Sequence, residues 1–246
     1  MPLRTPPHIS DITVAILAGG MGTRLRSVVS DRPKILASVA NRPFVAWWLE
    51  ALDAQGFRDV VFCTGYRAAQ VEEAFGKSFG NLSLRYSVED TPLGTGGAVH
   101  KALSQIRSGT MLILNGDSFC QQDLRPFVVQ HFEKGSRASL VVTSVPDIGR
   151  YGCVHLGPEG KVRRFQEKTG LAGPGLINAG IYLMPRELFS VLPSHMSISL
   201  ERDLLPRWIS QGIHAFPSTG RFIDIGTPES LAGATEFFLR PQLAAA

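Results

Sequence analysis

The sequence predicts an α/β fold: a Rossmann-like, mainly parallel sheet covered by helices on both faces, with a small antiparallel lobe. Three observations predict it. Short apolar runs of strand length alternate with longer segments whose apolar spacing is nearer 3.6 than 2. A glycine-rich stretch directly follows the first run, at the carboxyl end of a strand, where open parallel sheets bind ligands. After about residue 136 the rhythm changes to short β segments around a Gly-Pro-Glu-Gly turn.

Taken in order, the strand segments of the first half are Thr13 to Leu17, Asp59 to Cys63, Leu84 to Val88 and Met111 to Leu114. Between them the helical spacings fall at Phe44 to Gln55, Ala68 to Phe75 and Ala98 to Ile106. In the first helix Phe44, Trp47, Trp48, Ala51 and Leu52 form one apolar stripe, and Gly56 stands at the stop. Strand, helix and strand in repetition imply right-handed crossovers and a sheet buried on both faces. Further on, "ASLVVTSV" and "NAGIYLM" read as buried strands, and "YGCVHLGPEGKVRRFQEK" as an antiparallel excursion forming part of a substrate-facing lobe. Helical patterns return at Ser199 to Gln211 and Glu229 to Leu239, and "LRPQLAAA" reads as a frayed end. No repeat of solenoid period and no low-complexity tract is visible.

A chain of 246 residues fits one enlarged domain or a core with a smaller lobe, and 44% hydrophobic against 19% charged residues supplies a sizeable core. The formal charge of +4, from 25 Lys+Arg and 21 Asp+Glu, comes without a basic run. That fits a scattered surface or a basic cleft for a phosphorylated small molecule, and it disfavours nucleic acid. Cys63, Cys120 and Cys153 are odd in number and far apart, neither a disulfide framework nor a Cys-x-x-Cys zinc site, so a reducing cytoplasm is expected. The start "MPLRTPPHISD" has no apolar h-region, and no stretch approaches the roughly 18 apolar residues of a membrane span. A soluble protein without membrane attachment is the expectation.

The most informative stretch is "AILAGGMGTRLRSVVSDRPK". Gly19, Gly20 and Gly22 permit positive φ and close backbone approach, so successive N–H groups can converge on an anion. Thr23, Arg24 and Lys34 add side-chain donors to phosphate oxygens, and Pro33 restrains the chain beside the lysine. Taken alone, Gly-Gly-x-Gly is equally a plain tight turn. It is not a P-loop, which needs Gly-x-x-x-x-Gly-Lys-Ser/Thr, and it fits the dinucleotide fingerprint poorly because Thr-Arg-Leu follows Gly22.

The run Leu-Ala-Gly-Gly-x-Gly-Thr-Arg-Leu followed by Pro33-Lys34 resembles the signature of sugar-1-phosphate nucleotidyltransferases. Further elements occur in that family's order: "EDTPLGTGGAV", "LNGDS", "QEK", "NAGIY" and "FIDIGTPE". The resemblance covers nearly the whole chain. It implies a GT-A-like nucleotidyltransferase fold in a single domain, with a nucleotide-binding half at about 11–135 and a sugar-phosphate-binding half at about 136–240. The chain is most similar to guanylyltransferases acting on D-glycero-D-manno-heptose 1-phosphate or mannose 1-phosphate, in the short form without a C-terminal β-helix domain.

The resemblance also implies the chemistry. A sugar-1-phosphate oxygen attacks the α-phosphorus of a nucleoside triphosphate and pyrophosphate leaves. The substrate supplies the nucleophile, so no Ser-His-Asp or Cys-His pair is required, and the six histidines lack zinc-ligand spacing. Mg2+, which prefers oxygen ligands, is implied on Asp117 and Asp224. Arg24 is assigned to the β- and γ-phosphates and Lys34 to the α-phosphate. Leu17, Ala18, Gly19, Gly20, Gly22 and Thr23 are expected along the nucleotide, Gly94 and Thr95 at the base, and Asn115 and Gly116 at the ribose. Lys168 is expected on the sugar phosphate, Glu167 and Asn178 on sugar hydroxyls, and Gly152 and Gly180 where backbone approaches the sugar.

Glu89 decides the base. Relatives using uridine or thymidine triphosphate tend to carry glutamine there, which donates and accepts, whereas a carboxylate only accepts. Guanine offers N1–H and its N2 amino group side by side, so GTP follows. The expected partners are GTP and a sugar 1-phosphate, heptose favoured, for surface-polysaccharide or capsule precursor supply; a homodimer is left open. Three other readings stand beside this one. They are a uridylyl- or thymidylyltransferase on hexose 1-phosphate, a silent nucleotide-sugar-binding regulatory subunit, and an NAD-dependent oxidoreductase.

Overall fold

Residues 5–167, 170, 172–194 and 196–240 are described by the computed structural model. The first half runs β1 (Thr13–Ala18), a small hairpin β2 (Ser38–Val39) and β3 (Arg42–Pro43), α1 (Phe44–Gln55), β4 (Asp59–Thr64) and α2 (Ala68–Phe75). It continues with β5 (Ser78–Phe79), β6 (Leu82–Val88), α3 (Gly94–Ala102), β7 (Thr110–Asn115), β8 (Ser118–Cys120) and α4 (Leu124–Glu133). The second half runs β9 (Ala138–Val145), β10 (Gly152–Leu156), β11 (Val162–Glu167), β12 (Gly175–Pro185), α5 (Glu187–Ser190), α6 (Leu205–Trp208), β13 (Ile213–Ser218), β14 (Phe222–Asp224) and α7 (Pro228–Leu239).

The period-2 alternation of the central strands builds the layers. Val14 and Ile16 of β1, Val60 and Phe62 of β4, and Leu112 and Leu114 of β7 face one core, which α1, α4 and α7 cover. Ala15, Val61, Cys63, Met111 and Ile113 face the other core, under α3, α5 and α6. Helices on both faces let these strands be apolar on both sides. One ten-stranded sheet carries all the long strands among the described residues, in the order β11-β10-β12-β7-β1-β4-β6-β5, with β9 beside β12 and β13 beside β9. Its centre, β7-β1-β4-β6, is parallel. From β12 outward it is antiparallel through β10 and β11. The antiparallel excursion therefore exists as a hairpin, and it extends the main sheet instead of standing apart from it.

Helices α1 and α2 lie where the spacing predicts them, and Gly56, at φ 96°, ends α1 in the left-handed conformation. The third helix starts at Gly94 and not Ala98, because Gly96 N–H and Gly97 N–H donate to Ile198 O of a distant segment, at 2.8 and 3.2 Å. The pattern over Ser199 to Gln211 is broken into a π turn (Leu200–Leu204), α6 and a 3-10 turn (Ile209–Gln211), with Pro206 in the first turn of α6. Helix α4 was not foreseen. Its Pro126 looks like a breaker, yet sits in the first turn, where a missing N–H costs nothing. Among the described residues no helix is long and apolar enough to cross a membrane.

Candidate functional site

A cleft of about 680 Å³ opens along the carboxyl ends of β1, β6 and β7, and a smaller one of about 180 Å³ adjoins it, sharing Leu17, Gly20, Arg24 and Asp117. The glycine stretch forms their common wall. Gly22, at φ 58°, starts a 3-10 turn at Thr23–Leu25 whose Leu25 is buried, and that anchor leaves Arg24 exposed on the cleft. Lys34 opens a second 3-10 turn after Pro33, fixed by the buried Ile35 and Leu36. Its Nζ lies 2.7 Å from Asp117 Oδ2.

Two acidic side chains far apart in sequence meet because β8 and β14 pair antiparallel, with Asp224 opposite Ser118. Ile225 N–H clamps the junction by donating to Asp117 O at 2.9 Å. Thr227 caps α7 through a capping box and Pro228 occupies its first turn, which explains the Gly-Thr-Pro-Glu that follows Asp224. Burial raises the Asp224 pKa and the charge of Asp117 raises it further; Lys34, the Gly226 N–H and Arg150 oppose the shift. Such a like-charged pair favours a cation between its members. Among the described residues no cluster of three or more His, Cys, Asp or Glu could hold a metal ion.

At the other end of the glycine stretch, Glu89 is built into the wall. Its N–H donates to Thr64 O at 2.7 Å and its Oε2 accepts from Leu93 N–H at 2.6 Å. A Cβ on Gly19 would lie 2.2 Å from Glu89 Oε1, so the glycine is what lets this carboxylate rest on the loop. Burial raises the Glu89 pKa, against the Leu93 N–H and the charge of Lys101. Gly94 has φ 69°, and a Cβ there would meet Ile198 O at 2.6 Å.

The other wall comes from the antiparallel half. Gly152 pairs across the ladder with Glu167, and a Cβ on Gly152 would lie 2.6 Å from Glu167 Oε2. In β12 the register shifts between Asn178 and Tyr182, where Gly180 takes φ 74° and Asn178 Oδ1 accepts from Gly180 N–H at 3.0 Å. That bulge re-aims the strand toward the cleft and presses Gly180 on Asn115 and Ser118.

Leu17, Ala18, Gly19, Gly20, Gly22, Thr23, Arg24, Lys34, Glu89, Gly94, Thr95, Asn115, Asp117, Gly152, Glu167, Asn178, Gly180 and Asp224 thus line one continuous space. Gly116 does not. It is buried between strands, donating its N–H to Leu17 O at 2.9 Å, and a Cβ would clash with that oxygen at 2.7 Å. Packing against Leu17 O by itself requires a glycine here. Lys168 lies outside the described residues.

The lining residues that sequence reasoning missed include four with polar or charged side chains able to reach a ligand, Arg150, Tyr151, Glu201 and Arg202. Glu201 is 8% exposed, and its carboxylate accepts from Thr95 Oγ1 at 2.6 Å and from Tyr182 OH at 3.1 Å. The Tyr182 hydroxyl in turn accepts from Asn178 Nδ2 at 2.6 Å. Nothing local in "SLERDL" signals this bridge between the two walls; an acid in an apolar helical run was the available hint.

The layered sheet and the charged cleft beyond its strand ends place the chain among α/β proteins that bind ligands at strand ends. The family model described as Nucleotidyl transferase matches residues 13–240, and the chain belongs to that family. Among relatives, the D-glycero-alpha-D-manno-heptose 1-phosphate guanylyltransferase of Aneurinibacillus thermoaerophilus is 36% identical over 215 residues, covering 87% of this chain and 93% of the relative. The mannose-1-phosphate guanylyltransferase of Mycobacterium tuberculosis is 30% identical, covering 93% of this chain and 65% of the relative. The crystal structure of HddC from Yersinia pseudotuberculosis, complexed with GMP-PN, superposes with a TM-score of 0.82 at 34% identity, covering 92% and 99% of the two chains.

Proposed function

We propose that this nucleotidyltransferase moves GMP from GTP to a sugar 1-phosphate, with D-glycero-α-D-manno-heptose 1-phosphate as the first acceptor to test, forming a GDP-sugar and pyrophosphate. The observation that carries the reading is Glu89 resting on Gly19 at the far end of the glycine loop from Arg24 and Lys34. An acceptor-only group is thereby fixed at the base end of a cationic loop. Ionised, it takes the N1–H and N2 amino protons of guanine and repels the carbonyl edge of uracil. Two relatives bearing guanylyltransferase names support the same base.

The roles follow from the geometry. Backbone N–H groups of residues 19–23 and the Arg24 guanidinium hold the β- and γ-phosphates. Lys34 leaves Asp117 for the α-phosphate, where charge grows in the five-coordinate transition state. Asn115 faces the ribose. Asn178, Glu167 and the backbone at Gly152 and Gly180 orient the sugar, while Thr95, Glu201 and Tyr182 hold Asn178 in place. The acceptor phosphate oxygen is already anionic, so no general base is needed. It forms the new bond to the α-phosphorus, and the bond from that phosphorus to the β-bridging oxygen breaks, releasing pyrophosphate.

Asp117 and Asp224 fit Mg2+: two carboxylate oxygens without nitrogen or sulfur donors, completed by substrate phosphates and water. An ion held there would supply positive charge to offset the developing phosphate charge. Residues 13–240 act as one catalytic unit with two half-sites, and the GDP-sugar supplies surface-polysaccharide synthesis in the cytoplasm. Pyrophosphate release across five triphosphates and four sugar 1-phosphates tests the proposal. GTP with heptose 1-phosphate is expected to give the highest kcat/KM, mannose 1-phosphate the next; saturation by UTP or dTTP in place of GTP overturns it.

A further inference from the structure

Asp117 and Asp224 each carry a basic side chain in this structure. Lys34 is on Asp117, and Arg150 Nη2 is 3.2 Å from Asp224 Oδ1. The arginine's other hydrogen bonds are equally long, Nη1 to Thr227 Oγ1 at 3.3 Å and Nη2 to Tyr151 OH at 3.4 Å, and its guanidinium lies over the Tyr151 ring, 5.5 Å from the centroid. Charge-assisted bonds in good geometry run about 2.7–2.9 Å. Arg150 is 41% exposed and Asp224 19%, so the pair sits at the cleft rim with solvent on the arginine side. Arg150 directly precedes Tyr151 and Gly152, and Gly152 faces Glu167 on the acceptor wall. The guanidinium therefore stands between a metal-type carboxylate and the place where the acceptor must lie.

From this placement, and resting on the reading of the cleft given above, we infer that Arg150 is an acceptor-phosphate residue that is handed over from Asp224. It competes with a divalent cation for Asp224. Once the cation takes that carboxylate, the guanidinium pairs with the phosphate of the sugar 1-phosphate. A planar fork of donors suits two phosphate oxygens better than a single weakly held carboxylate oxygen. The exchange delays tight cation binding until phosphates arrive, and it places a positive charge on the attacking group without withdrawing one from the nucleotide.

The test uses the full chain and two direct binding measurements. Mn2+ is titrated into the protein alone and followed by its electron paramagnetic resonance signal. α-Mannose 1-phosphate is then titrated calorimetrically with Mn2+ present. Arg150→Met is expected to bind Mn2+ about 5- to 10-fold more tightly, since a competing unit charge near 4 Å is gone. The same variant is expected to bind the sugar phosphate about 10-fold or more weakly, and Arg150→Lys to recover part of that loss. Unchanged Mn2+ affinity, sugar-phosphate affinity within 2-fold of the parent, or no binding of the phosphate by either protein overturns the inference. The Mn2+ measurement involves neither guanine nor sugar. A wrong base assignment would appear in the turnover matrix and leave both binding results readable, and a wrong acceptor would leave the Mn2+ result readable.

Discussion

Both walls of the cleft seat a glutamate against a glycine, and they do so by different architecture. On the parallel side, Glu89 leaves the end of β6 and is steered by a loop N–H, that of Leu93, onto Gly19 at the end of β1. On the antiparallel side, Glu167 is placed over Gly152 by the ladder itself, as its cross-strand partner in the β10–β11 hairpin. The first arrangement gathers backbone donors and loop residues at strand ends, which suits a polyanion and a flat base. The second projects side chains from within strands, which suits the hydroxyls of a sugar. Asp117 and Asp224 sit at the seam, brought together by the pairing of β8 with β14.

If the seam serves both walls, breaking it should produce the largest effect. Asp117→Asn is expected to lower kcat by about 10²- to 10³-fold, the scale of several kcal/mol of lost transition-state charge stabilisation, with the thermal midpoint little changed. Steady-state kinetics beside a melting curve check this. Loss of the fold, or undiminished turnover, would remove Asp117 from the seam.

The two glycines sharpen the comparison next. Gly19→Ala puts a methyl where Glu89 Oε1 now lies, and the flexible carboxylate yields. The GTP KM should rise about 10-fold or more, the scale of a lost hydrogen bond to a charged group, while acceptor KM and stability change little. Gly152→Ala meets Glu167 Oε2 and also the buried ring of Phe165, at 2.7 Å, so it should raise the acceptor KM and cost about 1–3 kcal/mol of stability as overpacking. Equal shifts in both substrates from either variant would dissolve the division into two walls.

A smaller effect concerns pH. Burial holds the Glu89 pKa above the ordinary glutamate value, and only the ionised form accepts two guanine protons. GTP affinity should therefore fall as pH drops through that raised pKa, at a higher pH than for an exposed glutamate. In Glu89→Gln this acid limb should vanish, together with much of the preference for GTP over UTP. An unchanged limb in the variant would assign it to another group.

The parallel half was the more legible one, for a physical reason. Strands β1, β4 and β7 are apolar runs, helix α1 carries a full apolar face, and the ligand loop is written in closely spaced glycines, so local sequence specifies each part. The antiparallel half depends on pairings between distant segments. Gly180 could be named as a close-approach residue, but the bulge that requires its positive φ exists only once β12 lies beside β9. Arg150 and Glu201 are ordinary charged residues in sequence, and acquire their places only when β14 and the 198–201 segment fold across the cleft.

A crystal structure of the protein with a non-hydrolysable GTP analogue, Mg2+ and a sugar 1-phosphate tests the central claim most directly. The predicted result has the triphosphate on the amides of residues 19–23, guanine N1 and N2 within hydrogen-bond distance of Glu89, and the sugar between Glu167 and Asn178. A nucleotide seated with its base away from Glu89, or bound outside this cleft, would contradict it.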